Sequence, residues 1–279
     1  MSTASVIVPA HNEESVLARG LAAMLAGAEP AEFDVLVVSN GSTDRTAERA
    51  RSFPVRVIEL AEASKVAALR AGTREAAGDI VVYVDADVVL PTSTLRALVS
   101  ALREAGDQPR VGCPAMVTDT GESSWLVRSW YRAWAELPYV AASMVGSGVF
   151  GLTAAGSARL GEFPDVLNDD GFVRRAFDPA ERLTTAGDFT VKAPRTALAL
   201  VRRRARIAIG NRDLDERRGE RDAGANGIGA LLRATRAGRI RWPDAFSYLL
   251  ITVLARGLAQ WRRRTGTRGA WSTDQTSRG

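Results

Sequence analysis

Through the first 115 residues, short unbroken apolar runs alternate with amphipathic stretches. Ser5 to Val8 reads as a short buried strand stopped at Pro9, after which Asn12-Glu13-Glu14 opens a stretch carrying Val16, Leu17, Leu21, Met24 and Leu25 at helical spacing. Strand, polar loop and helix then recur as Asp34 to Val38, the loop Ser39-Asn40-Gly41-Ser42-Thr43-Asp44, and a helix from Arg45 that Asp44 could N-cap. A third unit runs from Val55-Arg56-Val57-Ile58 into a helix from about Ser64 to Ala76, closed by Gly78. The next apolar run, Ile80-Val81-Val82-Tyr83-Val84, ends on Asp85-Ala86-Asp87. This alternation predicts an α/β domain with a mainly parallel sheet flanked by helices, and ligands bound at the carboxyl ends of the strands. The loop from Pro9 to Glu14, the Ser39 to Asp44 loop and the Asp85-Ala86-Asp87 turn all lie at those ends and should converge on one crevice.

Beyond residue 115 the pattern becomes helical. Trp125, Trp130, Tyr131, Trp134 and Tyr139 cluster in one expected helix with Arg128 and Arg132; the i, i+4 spacing of Trp130 and Trp134 favours a core role for most of them over shaping a ligand pocket. Asn168-Asp169-Asp170 opens a helix whose apolar face includes Phe172, Val173 and Phe177. The most apolar stretch, Ala245 to Ala255, stops at Arg256 and is too short to span a bilayer. With Trp261-Arg262-Arg263-Arg264 behind it, it could lie on an anionic membrane surface, while packing on the rest of the protein is the expected arrangement. The segment 265–279 is small and polar and is expected to be disordered.

Composition adds two points. With 279 residues, 46% of them hydrophobic, a sizeable core is available, and the single cysteine, Cys113, excludes an intramolecular disulfide. No signal peptide precedes the first strand, so a cytoplasmic location is expected. The net charge of +5 hides an asymmetry: from Arg195 onward there are 19 Arg, no Lys and 7 acidic residues, leaving residues 1–194 at −7. A basic terminal third could meet phosphate in a ligand, anionic lipid or nucleic acid, or could be a solvated, Arg-rich helical surface.

Asp85-Ala86-Asp87 is the strongest chemical signal. In a strand, residues two apart point to one face, roughly 7 Å apart along the backbone. Two such anions at the end of a buried strand suit a divalent, oxygen-loving ion, Mg²⁺ or Mn²⁺, held partly by acids and partly by the phosphates of a nucleotide diphosphate. The plain alternative is a strand ending in a solvated polar turn. His11, the only histidine, is expected to give backbone contacts or packing, not to act as a base. A Rossmann dinucleotide site is excluded, because the first loop lacks G-x-G-x-x-G.

Three segments in order, Val6-Ile7-Val8-Pro9-Ala10-His11-Asn12-Glu13-Glu14, Val37-Val38-Ser39-Asn40-Gly41-Ser42-Thr43-Asp44 and Gly78 to Asp87, carry a resemblance. The chain resembles the family 2 glycosyltransferases of the GT-A fold. The resemblance implies a nucleotide-sugar-binding half over 1–115 and an acceptor-binding and catalytic half over 116–210; the residues beyond it are expected to form a basic helical C-terminal extension over 211–264. It assigns Pro9, His11, Asn12, Glu13, Asn40, Lys65, Asp85 and Ala86 to the donor, and Asp87 with Asp85 to the metal, Asp87 first. The family often has two acids where this chain has Ser39-Asn40, and some members add a late histidine to the metal shell that is absent here. Gly146, Ser147 and Gly148, at the start of a run to Leu152, resemble the acceptor-side loop, where close backbone approach favours glycine.

The family's acidic pair at a helix start is matched by Asp169 and Asp170. Transfer with inversion needs a carboxylate to take the acceptor hydroxyl's proton; that base is assigned to Asp170, with Asp169 in support, and the alternative is that one of the two only caps the helix. Arg203 and Arg206, in Arg203-Arg204-Ala205-Arg206-Ile207, fall where relatives carry Q/R-x-x-R-W, with Ile207 replacing the tryptophan. Guanidinium groups suit a leaving diphosphate. The implied activity is inverting, metal-dependent transfer from a nucleotide diphosphate sugar, UDP-sugar favoured, to a hydroxyl acceptor, with peripheral contact to the inner membrane face allowed and no nucleic acid expected. One rival is a sugar nucleotidyltransferase, whose usual Gly-rich basic first loop is replaced here by Pro9 to Glu14. The other is a non-catalytic protein docking its Arg-rich end on membrane or nucleic acid.

Overall fold

The computed structural model describes residues 3–141, 148–218 and 228–265. The chain runs β1 (Ala4–Ala10), α1 (Leu17–Leu25), β2 (Phe33–Asn40), α2 (Thr46–Arg51), β3 (Arg56–Leu60), α3 (Lys65–Glu75), β4 (Ile80–Val84), β5 (Val88–Val89) and α4 (Thr92–Glu104). It continues through β6 (Val111–Asp119), α5 (Trp125–Ala135), α6 (Pro138–Ala141), β7 (Val149–Thr153), α7 (Ala154–Leu160), α8 (Asp169–Ala176) and β8 (Arg182–Lys192) to α9 (Ala197–Arg218), α10 (Ile228–Arg236) and α11 (Trp242–Arg264). These elements fall into two compact units, one comprising residues up to Val117, 148–165 and Val173–Val191, the other the remaining described residues.

The first unit carries one eight-stranded sheet, ordered β3-β2-β1-β4-β7-β6-β8-β5. β1 is parallel to both neighbours, Val6 lying opposite Val35 on one side and Val82 on the other. A strand covered on both faces needs an unbroken apolar run rather than alternation, and all seven residues of β1 are buried. β2 and β3 are also parallel, whereas β7 runs antiparallel to β4 and β6, and β5 antiparallel to β8. The expected α/β sheet flanked by helices is present, with β3, β2, β1 and β4 forming a parallel group. Val149 to Leu152, read from sequence as loop, belongs to the central strand β7, every residue of which is buried.

Helix boundaries follow local chemistry. Ser64 caps α3, its Oγ accepting the Ala67 N–H at 3.1 Å. The helix ends at Glu75, so Gly78 is not its cap. Glycine is needed at 78 for a different reason: a Cβ there would sit 2.3 Å from the Thr3 carbonyl oxygen.

In the second unit α11 packs on α5 and α9. Ala205 and Ile209 of α9 meet Ala259 of α11. Trp130 of α5 is 1% exposed and stacks on Trp134 at 5.8 Å and on Tyr248 of α11 at 5.5 Å. Beside it Arg132 grips the buried Asp244 carboxylate with two hydrogen bonds of 2.7 and 3.1 Å. Trp130 and Trp134 are therefore core, as their spacing predicts, while Trp125 is exposed. No helix among the described residues is long and apolar enough to cross a membrane.

Candidate active site

Loops leave the carboxyl ends of the adjacent parallel strands β2, β1 and β4, and the first two loops are laced together. The His11 ring lies with Nδ1 2.7 Å from the Asn40 carbonyl oxygen, to which it donates. Asn12 adopts φ 53°, a left-handed conformation that asparagine tolerates. Its Oδ1 accepts the Thr43 N–H at 2.8 Å, and its own N–H donates to Ser42 Oγ at 3.2 Å. The Glu13 N–H donates to Thr46 Oγ1 at 2.8 Å. His11 is thus a loop-positioning residue, as expected. At Gly41, φ is 58° and a Cβ would lie 2.7 Å from the Ala63 nitrogen, so a side chain has no room there.

Asp44 accepts from the Thr46 N–H at 3.0 Å, from the Thr46 hydroxyl, and from the Glu14 N–H at 3.2 Å. Burial pushes this carboxyl up, but those hydrogen bonds outweigh it and hold its pKa below the usual 3.8. The associated stability is present above the unfolded-state pKa and is lost as pH falls through the lower folded-state value. Asp44→Asn is therefore expected to flatten the acid limb of a denaturation-midpoint curve below about pH 4. An unchanged limb would show that these bonds contribute nothing.

Asn40 ends β2 and is fully buried; both its amide atoms lack a hydrogen-bond partner among the described residues. An unpaired buried amide costs about 1–3 kcal/mol.

The third loop differs from expectation. The Val88 N–H donates to the Asp85 carbonyl at 3.1 Å, closing a tight turn over Ala86 and Asp87. Asp85 and Asp87 are therefore held by a turn, not by the pleat of an extended strand. Asp85 is also tied to β7's approach: its N–H donates to the Gly148 carbonyl at 2.7 Å. Gly148 has φ 70°, and a Cβ there would come 3.0 Å from Asp85 Oδ2. Lys65, the first residue of α3, places Nζ 2.6 Å from Asp85 Oδ1. Ala86 is buried and both acids are half-buried. Gly146 and Ser147 lie outside the described residues.

The donor set here is two carboxylates, and no cluster of three or more His, Cys, Asp or Glu side chains occurs among the described residues. Oxygen-only ligands from two acids, too few for a closed protein site, fit a hard divalent ion that completes its shell with phosphate oxygens and water. Mg²⁺ or Mn²⁺ suits that description.

In the second unit the cap of α8 resolves an ambiguity. Asn168 Oδ1 accepts the Gly171 N–H at 2.9 Å, and the Asn168 carbonyl accepts the Phe172 N–H at 3.0 Å. Asn168 therefore caps the helix, and neither Asp169 nor Asp170 is needed for it. The pattern Asn-x-x-Gly was a signal in the sequence that the aspartate pair obscured. Asn168 Nδ2 also donates to Asn211 Oδ1 at 2.7 Å, and a Cβ on Gly210 would lie 2.9 Å from the Asn168 Cβ. Arg203 and Arg206 precede Gly210 by seven and four residues, which places them on the same face of α9. The first turn of α8, with its two acids, is thus pinned to the α9 face that bears the two arginines.

The sequence profile described as Glycosyl transferase family 2 matches residues 5–150, more than half of the chain. The chain belongs to glycosyl transferase family 2. The matched span takes in all three loops of the first unit. Among family relatives, a dolichol-phosphate mannosyltransferase of Pyrococcus furiosus is 32% identical over 108 residues, covering 37% of this chain and 31% of that protein. A glucosyl-3-phosphoglycerate synthase of Mycobacterium tuberculosis is 30% identical over 138 residues, covering 47% of this chain and 38% of that protein. The chain thus spans well under half the length of these relatives. A mannosyltransferase from Pyrobaculum calidifontis, solved in complex with GDP-Man and Mn²⁺, superposes with a TM-score of 0.66 over 94% of this chain and 88% of that one, at 20% identity. At that identity the likeness speaks for the fold, which is the GT-A glycosyltransferase architecture.

Proposed function

We propose that this chain is an inverting glycosyltransferase that moves a sugar from a nucleotide diphosphate sugar to a hydroxyl acceptor. The observation that carries the reading is the Asp85 to Val88 turn at the carboxyl end of β4, beside the two interlocked loops that end β1 and β2. The mannosyltransferase of like fold binds GDP-Man with Mn²⁺, and the named relatives are a mannosyltransferase and a glucosyl-transferring synthase, which favours a sugar donor.

In this reading Pro9, His11, Asn12, Glu13 and Asn40 surround the nucleoside. Asp87 and Asp85 hold the divalent ion; when bound, Mg²⁺ or Mn²⁺ offsets the charge that builds on the departing diphosphate. Lys65 exchanges part of its contact with Asp85 for the donor's phosphates. Asp170 accepts the proton of the acceptor hydroxyl as that oxygen bonds to the anomeric carbon and the bond from that carbon to the diphosphate oxygen breaks. Asp169 orients the acceptor, and Arg203 and Arg206 donate hydrogen bonds to the leaving phosphates. UDP-sugars are the first donors to test.

The test is calorimetric titration with UDP, GDP and dTDP, each with and without Mn²⁺, on the parent chain and on Asp87→Asn. The expected result is metal-dependent binding of one nucleotide, lost in the variant. Folded parent protein that binds none of the three with Mn²⁺ present would overturn the proposal.

A further inference from the structure

α11 carries apolar side chains on two opposite sides. Ala245, Tyr248, Ile251, Ala255 and Ala259 are buried in the second unit. At 100° per residue, Trp242, Phe246, Leu250, Val253, Leu254 and Trp261 fall in an arc of about 120° on the other side. All six are exposed, from 37% for Leu250 to 65% for Trp242. A helix at a protein surface ordinarily has one apolar stripe, and a contiguous exposed patch marks a surface that something covers.

Charge says what. From Ile228 to Thr265 there are eight Arg, no Lys and one acid, Asp244. That acid is buried and bound to Arg132, so this stretch shows no exposed carboxylate. Arg263 is paired with Asp213 and Glu216, but Arg239 and Arg241 before the helix, Arg256 beside the arc and Arg264 at its end are exposed. Trp242 and Trp261 stand near the two ends of the arc, where amphipathic rings settle at headgroup depth when a helix lies in a membrane plane. Both ends of the helix are basic, so two copies packed face to face would meet like charges in either direction. A surface rich in phosphate anions meets no such conflict.

We propose that the outward face of α11 docks flat on an anionic phospholipid bilayer, its aromatic and aliphatic side chains entering the headgroup region and the flanking arginines pairing with lipid phosphates. The docking is independent of the transfer reaction assigned above.

Co-sedimentation with vesicles tests it. The full chain is expected to pellet with phosphatidylcholine vesicles containing phosphatidylglycerol, and to bind pure phosphatidylcholine roughly tenfold or more weakly. Phe246→Ser combined with Val253→Ser should weaken binding to the anionic vesicles by a similar factor while keeping the thermal midpoint, since both positions are exposed. Folded parent protein that stays in the supernatant with anionic vesicles would overturn the proposal, as would a variant that binds them equally well. Concentration-dependent self-association lost in the variant, without vesicle binding by the parent, would assign the face to a second copy and overturn it too.

Discussion

Asp170→Asn is expected to fold like the parent, to bind nucleotide as tightly, and to transfer sugar about 10²- to 10⁴-fold more slowly. The cap of α8 makes this result readable. Because Asn168 supplies the side-chain oxygen to the Gly171 N–H, removing a carboxylate two residues on does not uncap the helix. The substitution keeps the shape of the side chain and removes its capacity to hold a proton from the acceptor. The loss should therefore fall on kcat and on kcat/KM alike, the pattern for an interaction made only in the transition state. Asp169→Asn, if that residue orients the acceptor, should act mainly on KM. Near-normal turnover in Asp170→Asn together with collapse in Asp169→Asn would move the base to the neighbouring acid.

Trp130→Ala is expected to cost about 3–5 kcal/mol of stability, measured by chemical denaturation, because it leaves a cavity where a whole indole is packed. Trp130 joins α5 to α11 through its stack on Tyr248, and the Arg204 guanidinium of α9 lies 5.1 Å over its ring. One side chain therefore bridges three helices, and its truncation also removes a cation–π contact. Its indole N–H is buried without a partner among the described residues, so truncation breaks no side-chain hydrogen bond and the expected loss is one of packing. A loss under about 1 kcal/mol would show that the surrounding helices collapse to fill the gap.

Strand and helix in the first unit were legible wherever one period dominated. The run Val6 to Val8 and the run Ile80 to Val84 read as buried strands because both faces are covered, and the start of α3 was placed at Ser64, whose hydroxyl the structure shows accepting from a free amide of its first turn. Antiparallel pairing was not legible, since Val149 to Thr153 pairs with strands nearly seventy residues upstream and about forty upstream, and its glycine at 151 looks like loop. That glycine is instead a packing requirement: a Cβ would lie 2.6 Å from Leu102. The chemistry of the third loop was visible in its two aspartates, whereas its geometry was not. A turn closed by a backbone hydrogen bond leaves no trace in residue type, and the contact of Lys65 with Asp85 spans twenty residues. The apolar stretch in the last third was read as eleven residues; α11 runs for 23, because arginines and a glutamine continue the helix after the hydrophobic signal fades.

The two edges of the sheet govern what the protein does at high concentration. β3 closes one edge with Arg56 and Glu59 exposed, Arg56 clamped to Asp34 and Glu75 and Glu59 to Arg51; β5 closes the other with only two residues. A charged border and a short one both discourage the addition of a further strand. Edge-to-edge growth of the ladder is thereby disfavoured at β3 and β5, which lowers the tendency of native chains to join strand to strand when they are crowded.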